Sequence, residues 1–223
     1  MHLILNMNNP PYTGKTFLCL LCISVFSAFY FISCADTEPS ILTVKSSVVF
    51  DFADKQSVPT VRFSVFVQPG KEVQRVRTIK VTCAANGYEW IISNPSRIVS
   101  DKGQWAGSTQ LVPRYSEEIN QGVYTVTYTD KADHSVDSTF SIVYPEGLIQ
   151  AKAADVPGMM GGNRVENIAM YAENGKLLYY GPRKKNWNSD ADIWNGSEDA
   201  VQMRICWCSS DESVICLMPP VHK

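Results

Sequence analysis

Hydrophobic and polar positions alternate along the chain between residues 41 and 144, in short segments separated by turn residues. In "TVRFSVFV", every second residue from Val61 to Val67 is apolar, and the polar Arg62 and Ser64 stand between them. Side chains of a strand point alternately to its two faces, so this period of two predicts strands with one buried face. The predicted strands are "ILTVKSSVVF", "TVRFSVFV", "RTIKVTC", "NGYEWIIS", "GQWAGSTQLV", "GVYTVTYTD" and "SVDSTFSIVY".

These segments occupy about 105 residues, which is the size of an immunoglobulin-like sandwich, and such a sandwich has about seven strands. Val, Thr, Ile and Tyr recur in them, a composition that favours sheets over helices. After the apolar leader, no helical periodicity extends beyond two turns. We therefore predict an all-β protein with an antiparallel β-sandwich over residues 41–146.

The stretch "NQGVYTVTYTD" resembles the strand of immunoglobulin-type domains that begins with Gly-x-Tyr. The resemblance implies that Tyr124 is the corner tyrosine of the fold. It also implies that Trp90, seven residues after Cys83, is the core tryptophan following the second main strand. Val126 stands where the family has its second cysteine, so Cys83 has no intersheet disulfide partner within this domain.

The chain changes character after the predicted sandwich. Residues 147–163 include "AKAADVPGMMGGN", a run of small residues, proline and glycine that predicts a linker. In residues 164–223, Asn174-Gly175 between apolar runs predicts one hairpin, and "VQMRICWCSSDESVICLM" predicts a second. We expect a small, hairpin-rich C-terminal unit that either packs against the sandwich or is held together by a disulfide, because sixty residues alone bury little core.

The N-terminal region contains an uncharged run from Phe17 to Ser33, preceded by Lys15. A membrane-spanning helix needs about 20 apolar residues, and this run is shorter. A basic residue followed by an apolar core and a small residue is typical of an export signal. The translation start is either Met1 or Met7, since the region before Lys15 is long for such a leader.

The end of this run, "FISC", resembles the lipobox of bacterial lipoproteins, and Phe31 at its first position resembles the looser lipoboxes of spirochaetes. The resemblance implies a signal peptide at residues 1–33 and a mature N-terminus at Cys34 that carries diacylglycerol and an N-linked acyl chain. Residues 34–40 then form a tether, and the protein is anchored to the inner or outer membrane of a bacterial envelope. A cleaved secretory signal and a retained anchor are the alternatives.

Charge and motif content narrow the function classes. The formal net charge of −2 does not favour nucleic acid as a partner. The sequence contains none of the common nucleophile, zinc-protease or phosphate-loop motifs. We therefore predict that the protein is not an enzyme and that it needs no cofactor besides its acyl chains.

The C-terminal cysteines suggest a crosslink. If the last hairpin is centred on Asp211, Cys206 faces Cys216 across the two strands, and an oxidising compartment favours a disulfide between them. Cys208 and Cys83 are alternative partners. A zinc site formed by Cys206, Cys208 and Cys216 with His222 is a further alternative.

The loop "NWNSDADIWNGSED" suggests two kinds of site. Its oxygen-bearing residues Asn188, Asp190, Asp192 and Asp199 follow the spacing of a calcium loop, although Ile193 replaces the usual glycine. Its aromatic residues suggest a surface for a glycan or protein ligand, or alternatively a cover for a thin core. The aromatic residues are Trp187 and Trp194 in the loop, with Tyr179 and Tyr180 before it.

Three functions remain open from the sequence. The first is a lipid-anchored binding or adhesion module that contacts a protein or glycan through the Ig-like domain. The second is a structural or accessory periplasmic lipoprotein within an envelope complex. The third is a metal-dependent protein that uses the C-terminal cysteines. The absence of a catalytic constellation favours the first two.

Overall fold

Strands dominate the part of the chain that the structure describes, and there they belong to two sheets. The computed structural model describes residues 38–114 and 118–223. The predicted signal peptide, Cys34 and the first part of the tether, up to residue 37, lie outside these residues. Within them, no helix is long and apolar enough to cross a membrane.

Eight strands form the sandwich. They are β1 (Ile41–Asp51), β2 (Thr60–Pro69), β3 (Val76–Cys83), β4 (Glu89–Ile92), β5 (Ser96–Ser100), β6 (Gly103–Leu111), β7 (Gly122–Asp130) and β8 (Ser135–Ile142). The first sheet contains the order β1-β2-β6-β5, and the second has the order β4-β3-β7-β8. Lettered along the chain from A to G, with β4 as C′, these are the ABED and C′CFG sheets of an immunoglobulin-like fold. The predicted all-β, Ig-like sandwich is therefore confirmed.

The inner faces of the two sheets form the main core, because alternate residues of each strand point inward. The first sheet contributes aromatic and β-branched residues that are fully buried, and the second contributes two buried tyrosines. The largest of these side chains are Phe50, Phe52, Phe63, Ile79, Tyr124 and Tyr128. The inward positions predicted from "TVRFSVFV" belong to this core, since Phe63, Val65 and Val67 are buried and Val61 packs against them.

The corner tyrosine is present at the predicted residue. The hydroxyl of Tyr124 on β7 donates a hydrogen bond to the backbone oxygen of Asn120, over 2.7 Å. Trp90 is not the fully buried core tryptophan that the resemblance implies, however, because it lies on an edge strand and is only partly buried. Cys83 ends the third strand, and Trp90 lies on the adjacent edge strand β4, where its ring packs edge-on against Phe63 with ring centres 5.0 Å apart.

Replacing Tyr124 with Phe tests how much the hydrogen bond of the corner tyrosine stabilises the fold. The ring still fills the core, but the partly buried oxygen of Asn120 loses its donor, so we expect the free energy of unfolding to fall by about 1–1.5 kcal/mol. Urea unfolding of the two proteins measures this difference. Tyr88→Phe is the control, since Tyr88 is only partly buried, and an equal loss in both variants would contradict the assignment.

The C-terminal strands continue the first sheet. They are β9 (Val165–Tyr171), β10 (Leu177–Pro182), β11 (Gln202–Cys208), β12 (Val214–Leu217) and β13 (Val221–His222). The order β10-β9-β11-β12 leads to β1, and β12 runs parallel to β1 with Val48 opposite Val214. Residues 38–223 accordingly form one compact unit. The boundary expected between the sandwich and a small C-terminal unit at residues 164–223 stays a prediction.

The segment predicted as a linker, residues 147–163, packs against the core. It contains two short 3-10 turns, Leu148–Gln150 and Ala153–Asp155, followed by helix α1 (Val156–Met159). Leu148 and Val156 are fully buried in the main core. A second helix, α2 (Asp190–Asn195), lies between β10 and β11.

Candidate functional site

The outer face of the first sheet forms a shallow groove, which we call the Trp105 groove. It crosses all four sandwich strands of that sheet, from β1 to the edge strand β5. Its lining residues are Lys45, Ser47, Ser64, Phe66, Ile98, Ser100, Lys102 and Trp105. In this groove, large apolar side chains lie beside lysines on a face that points to solvent.

Strand alternation and register bring these residues together. Val67 and Ala106 are neighbours in the sheet and point into the core, so Phe66 and Trp105 beside them must point outward. Phe66 lies opposite Lys45 on β1, and Trp105 lies opposite Ile98 on β5. The groove thus combines an aromatic floor with an aliphatic rim, and Ile98 is 48% exposed.

Gly107 on β6 allows the floor to form. A Cβ atom at this residue would stand 1.9 Å from the backbone oxygen of Val65 and 2.8 Å from Cδ1 of Phe66. The register between β2 and β6 shifts at this place, between Phe63 and Val65. The two backbones therefore approach closely where Phe66 covers the glycine, and no side chain fits at residue 107.

The charges of the groove are positive. The Nζ atom of Lys45 lies 5.3 Å from the centre of the Trp105 ring, a cation–π contact. Among the described residues, neither Lys45 nor Lys102 forms a salt bridge with a carboxylate, and none of the lining residues is acidic. The groove therefore suits a ligand with negative charge beside apolar or planar surface.

Three of the four aromatic residues predicted as a ligand surface pack together on a small core instead. Trp187 is only 3% exposed and belongs to a small core with Ile168, Met170, Ile193, Ala200 and Met203. Tyr179 packs against it with ring centres 5.0 Å apart, and Trp194 also packs on this core. Tyr180 points away from them, and its hydroxyl accepts a hydrogen bond from Asn167. The structure thus supports the alternative that these tryptophans cover a thin core.

The predicted calcium loop contains a helix start instead. Ser189 and Asp192 form a capping box at α2, in which the Asp192 carboxylate accepts hydrogen bonds from the backbone nitrogens of Asn188 and Ser189. The hydroxyl of Ser189 also donates to this carboxylate, and this bond, together with the two backbone bonds, holds the pKa of Asp192 below its ordinary value. Asp190 faces Arg183 at 3.7 Å, and Asp199 does not join them in a ligand cluster. Asp192 therefore serves the local backbone, and Asp190 pairs with an arginine.

The register predicted for the last hairpin is wrong by one residue. Cys206 lies opposite Leu217, and Cys216 lies opposite Trp207. The hairpin closes with Ser209 and Val214 around a four-residue loop, in which Glu212 adopts a left-handed conformation. A shift of one residue reverses the face of every side chain, so Cys206 and Cys216 lie on opposite faces of the sheet.

The cysteines do not form the alternative sites either. Cys83, Cys206, Cys208 and Cys216 are all buried free thiols. Among residues 38–114 and 118–223, no three His, Cys, Asp or Glu side chains are placed to hold a metal ion, so the C-terminal cysteines and His222 do not form a zinc set. Cys216 contacts the sulfur of Met160 in the main core, at 3.9 Å.

Burial makes these thiols unreactive in the folded protein. It raises the pKa of Cys206 and of Cys216 to about 12, and it also raises the pKa of Cys208. Because the thiolate is the reactive form, we expect no alkylation of these three residues by N-ethylmaleimide at pH 8. In urea without a reductant all three should react. Mass spectrometry of tryptic peptides measures both, and protection that persists in urea until reduction would instead show a disulfide.

Sequence reasoning missed the Trp105 groove. The signal for its parts was present, since Lys45, Phe66 and Trp105 fall on the outward positions of their strands. Their proximity depends on the strand order β1-β2-β6-β5, which the alternation pattern does not specify. Comparison with known proteins gives no further guide to the site, because the chain matches no protein-family model and no curated protein sequence.

Proposed function

We propose that this chain is an exported, lipid-anchored protein of a bacterial envelope that acts by binding, and that the Trp105 groove of its Ig-like domain is the binding face. One observation supports the binding face above all. The groove faces solvent and contains aromatic and aliphatic side chains. It also contains Lys45 and Lys102, neither of which forms a salt bridge with a carboxylate among the described residues. An open sheet face is usually polar where it faces only water.

The composition of the groove is typical of interfaces rather than of plain surface. Aromatic residues are enriched where proteins bind partners, because one rigid ring buries a large area at little entropic cost. Phe66 and Trp105 are half-buried, so their exposed faces are available without unfolding. The serine hydroxyls of Ser47 and Ser64 between the strands add hydrogen-bonding groups.

The lipid anchor rests on the "FISC" sequence and Cys34. Each buried methylene of an acyl chain contributes about 0.8 kcal/mol to membrane affinity, so a cysteine with two or three chains is held durably. Only residues 35–40 stand between this cysteine and the first strand, which begins at Ile41.

The anchor is tested by labelling bacteria that express the full chain with radioactive palmitate. We expect label and membrane association in the natural sequence and in the control variant Cys22→Ser, and neither in Cys34→Ser. Cys22 lies in the same apolar run, so it controls for the effect of replacing a cysteine there. Label that persists in Cys34→Ser would refute anchoring at this residue.

The binding face is tested by photo-crosslinking in intact cells. A benzoylphenylalanine at Ile98, on the rim of the groove, should give a defined crosslinked product that disappears when Trp105 is replaced by Ala. The control position is Ile91 on β4, which is 66% exposed on the second sheet. Equal products at both positions, or a product that Trp105→Ala does not affect, would refute the groove as the binding face.

One observation favours the accessory role as a second candidate. All five residues of the edge strand β5 are exposed, and among the strands that the structure describes only β6 pairs with it. An exposed edge can accept a further strand from a protein partner. With benzoylphenylalanine at Val99, a crosslinked product that contains one envelope protein would support this role. The absence of such a product would refute it.

A further inference from the structure

We propose that the ligand of the Trp105 groove is the anionic headgroup surface of the membrane that holds the anchor. This inference rests on the proposed function, because it requires the acylated Cys34. The inference goes beyond the proposed function because it names the partner and states which sheet of the sandwich faces the lipid.

The register places the groove at the end of the sandwich where the chain enters. Strand β1 begins at Ile41, which lies opposite Pro69 at the end of β2. Lys45 lies opposite Phe66, and Phe66 lies opposite Gly107 on β6. Trp105 is two residues nearer to the start of β6, and β6 runs parallel to β1 because both are antiparallel to β2. Trp105 is therefore displaced from Lys45 toward the entry end.

Lys102 lies at this end as well. Strands β5 and β6 are joined by a turn that contains Asp101 and Lys102, and their last pair is Ser100 with Gly103. A Cβ atom at Gly103 would contact the side-chain amide of Gln68, which precedes the last residue of β2. The turn thus lies beside the start of β1, and the groove extends from the middle of the sheet to the entry end.

The tether is short enough to keep this end close to the bilayer. Residues 34–40 span at most about 24 Å when fully extended. Lys45 lies four residues farther along β1, which adds about 13 Å at most. Lys45 is therefore never more than about 37 Å of chain from Cys34. Because charges act over about 8–10 Å at physiological salt, the proposal requires the entry end of the sheet to rest against the headgroups.

The chemistry of the groove fits a membrane surface. Tryptophan is enriched at the boundary between headgroups and acyl chains, where an apolar ring with one polar group is favoured. Lysines near an anionic leaflet each contribute about 1 kcal/mol. Trp105 and Ile98 supply apolar groups, while Lys45 and Lys102 supply cations that lack carboxylate partners among the described residues.

The test uses the full, acylated chain in vesicles that contain brominated phosphatidylcholine, with or without phosphatidylglycerol. Bromine quenches tryptophans that reach the membrane surface. We expect quenching in the anionic vesicles and its loss in Trp105→Phe. Replacing Lys45 and Lys102 together with Gln should lower the equilibrium constant for membrane apposition about 30-fold, since two lysines contribute about 2 kcal/mol.

The matched control is Lys55→Gln. Lys55 is also exposed but lies beyond Asp51, at the opposite end of β1. This variant should be quenched like the natural protein, and equal effects of the lysine variants would refute the proposal. Quenching of Trp105 that is equal in neutral vesicles would also refute it, because the groove would then not recognise charge.

Two further outcomes separate the inference from the proposed function. A protein that stays on all vesicles while Trp105 is never quenched keeps its anchor but contradicts the inference. A protein that leaves the vesicles contradicts the anchor itself. If glycerol phosphate without vesicles changes the fluorescence of Trp105, the groove binds a small soluble anion, and the membrane assignment is refuted.

Discussion

Arg204→Met is expected to lower the free energy of unfolding by about 3 kcal/mol. Arg204 on β11 donates hydrogen bonds to the carboxylate of Asp51 on β1, over 2.7 Å, and to the backbone oxygens of Phe52, Leu217 and Met218. Its side chain is only 12% exposed. Removing it takes away four charge-assisted hydrogen bonds from a partly dry site, which costs more than the loss of an exposed ion pair. In the variant, Asp51 keeps its bond from Arg62, and the Leu217 oxygen keeps its bond from the Phe52 nitrogen.

The matched control is Arg183→Met. Arg183 faces Glu166 at 3.5 Å and Asp190 at 3.7 Å, and it is more exposed than Arg204. We expect a loss below about 1 kcal/mol there, as for most surface pairs. Urea unfolding measures both variants. Similar losses in both would contradict the view that Arg204 joins the C-terminal strands to the sandwich.

A double-mutant cycle with Asp51→Asn tests the pair more directly. Asp51 also accepts a hydrogen bond from Arg62, over 3.0 Å, so one carboxylate joins β1, β2 and β11. We expect the two substitutions together to cost less than the sum of their separate effects, because each removes the same interaction. Hydrogen exchange should quicken in β11 and β12 first, since Arg204 holds the ends of these strands next to β1.

The sandwich could be predicted from the sequence because its strands alternate strongly. Phe63, Val65 and Val67 fall on one face of β2, and all three are buried in the core. Tyr124 could be assigned as the corner tyrosine from three residues, since the hydrogen bond to Asn120 is formed within one turn of chain. Strand β5 was not predicted, because an edge strand with every residue exposed has no apolar face to reveal it.

Local signals in the C-terminal region competed with one another. The Ser189-x-x-Asp192 pattern is that of a capping box, and the same aspartate also fits the spacing of calcium ligands. The helix prevails because Ile193 is fully buried in the core beneath it, and this fixes one turn of helix around the carboxylates. Alternation shows which side chains of one strand share a face, but the register decides which face of the neighbouring strand matches it. Cys216 was expected on the face of Cys206 because the register of the hairpin was wrong by one residue.

The Trp105 groove was out of reach for a different reason. Lys45 and Trp105 are distant in sequence and lie on strands that are not adjacent in the sheet, since β2 lies between β1 and β6. Their contact depends on long-range pairing and on the close approach of β2 to β6. No periodicity along one strand contains that information.

Gly107→Ala should disrupt both the fold and the groove, with a loss of about 3 kcal/mol in the free energy of unfolding. The added methyl would stand 1.9 Å from the backbone oxygen of Val65, so β2 and β6 must separate, and such backbone shifts are costly. The ring of Phe66, which the methyl also meets, must leave its place on the groove floor. Calorimetric or urea unfolding measures the first effect.

The control is Gly158→Ala in α1, where a Cβ atom would meet nothing within 4 Å. Alanine favours helix and restricts the unfolded chain, so this variant should be unchanged or slightly more stable. If Gly107→Ala is equally stable, β2 and β6 do not approach as closely as described. If Gly107→Ala is less stable but still folded in the absence of denaturant, the yield of the crosslink from Ile98 should also fall. The groove needs the ring of Phe66 packed against the glycine to keep its shape.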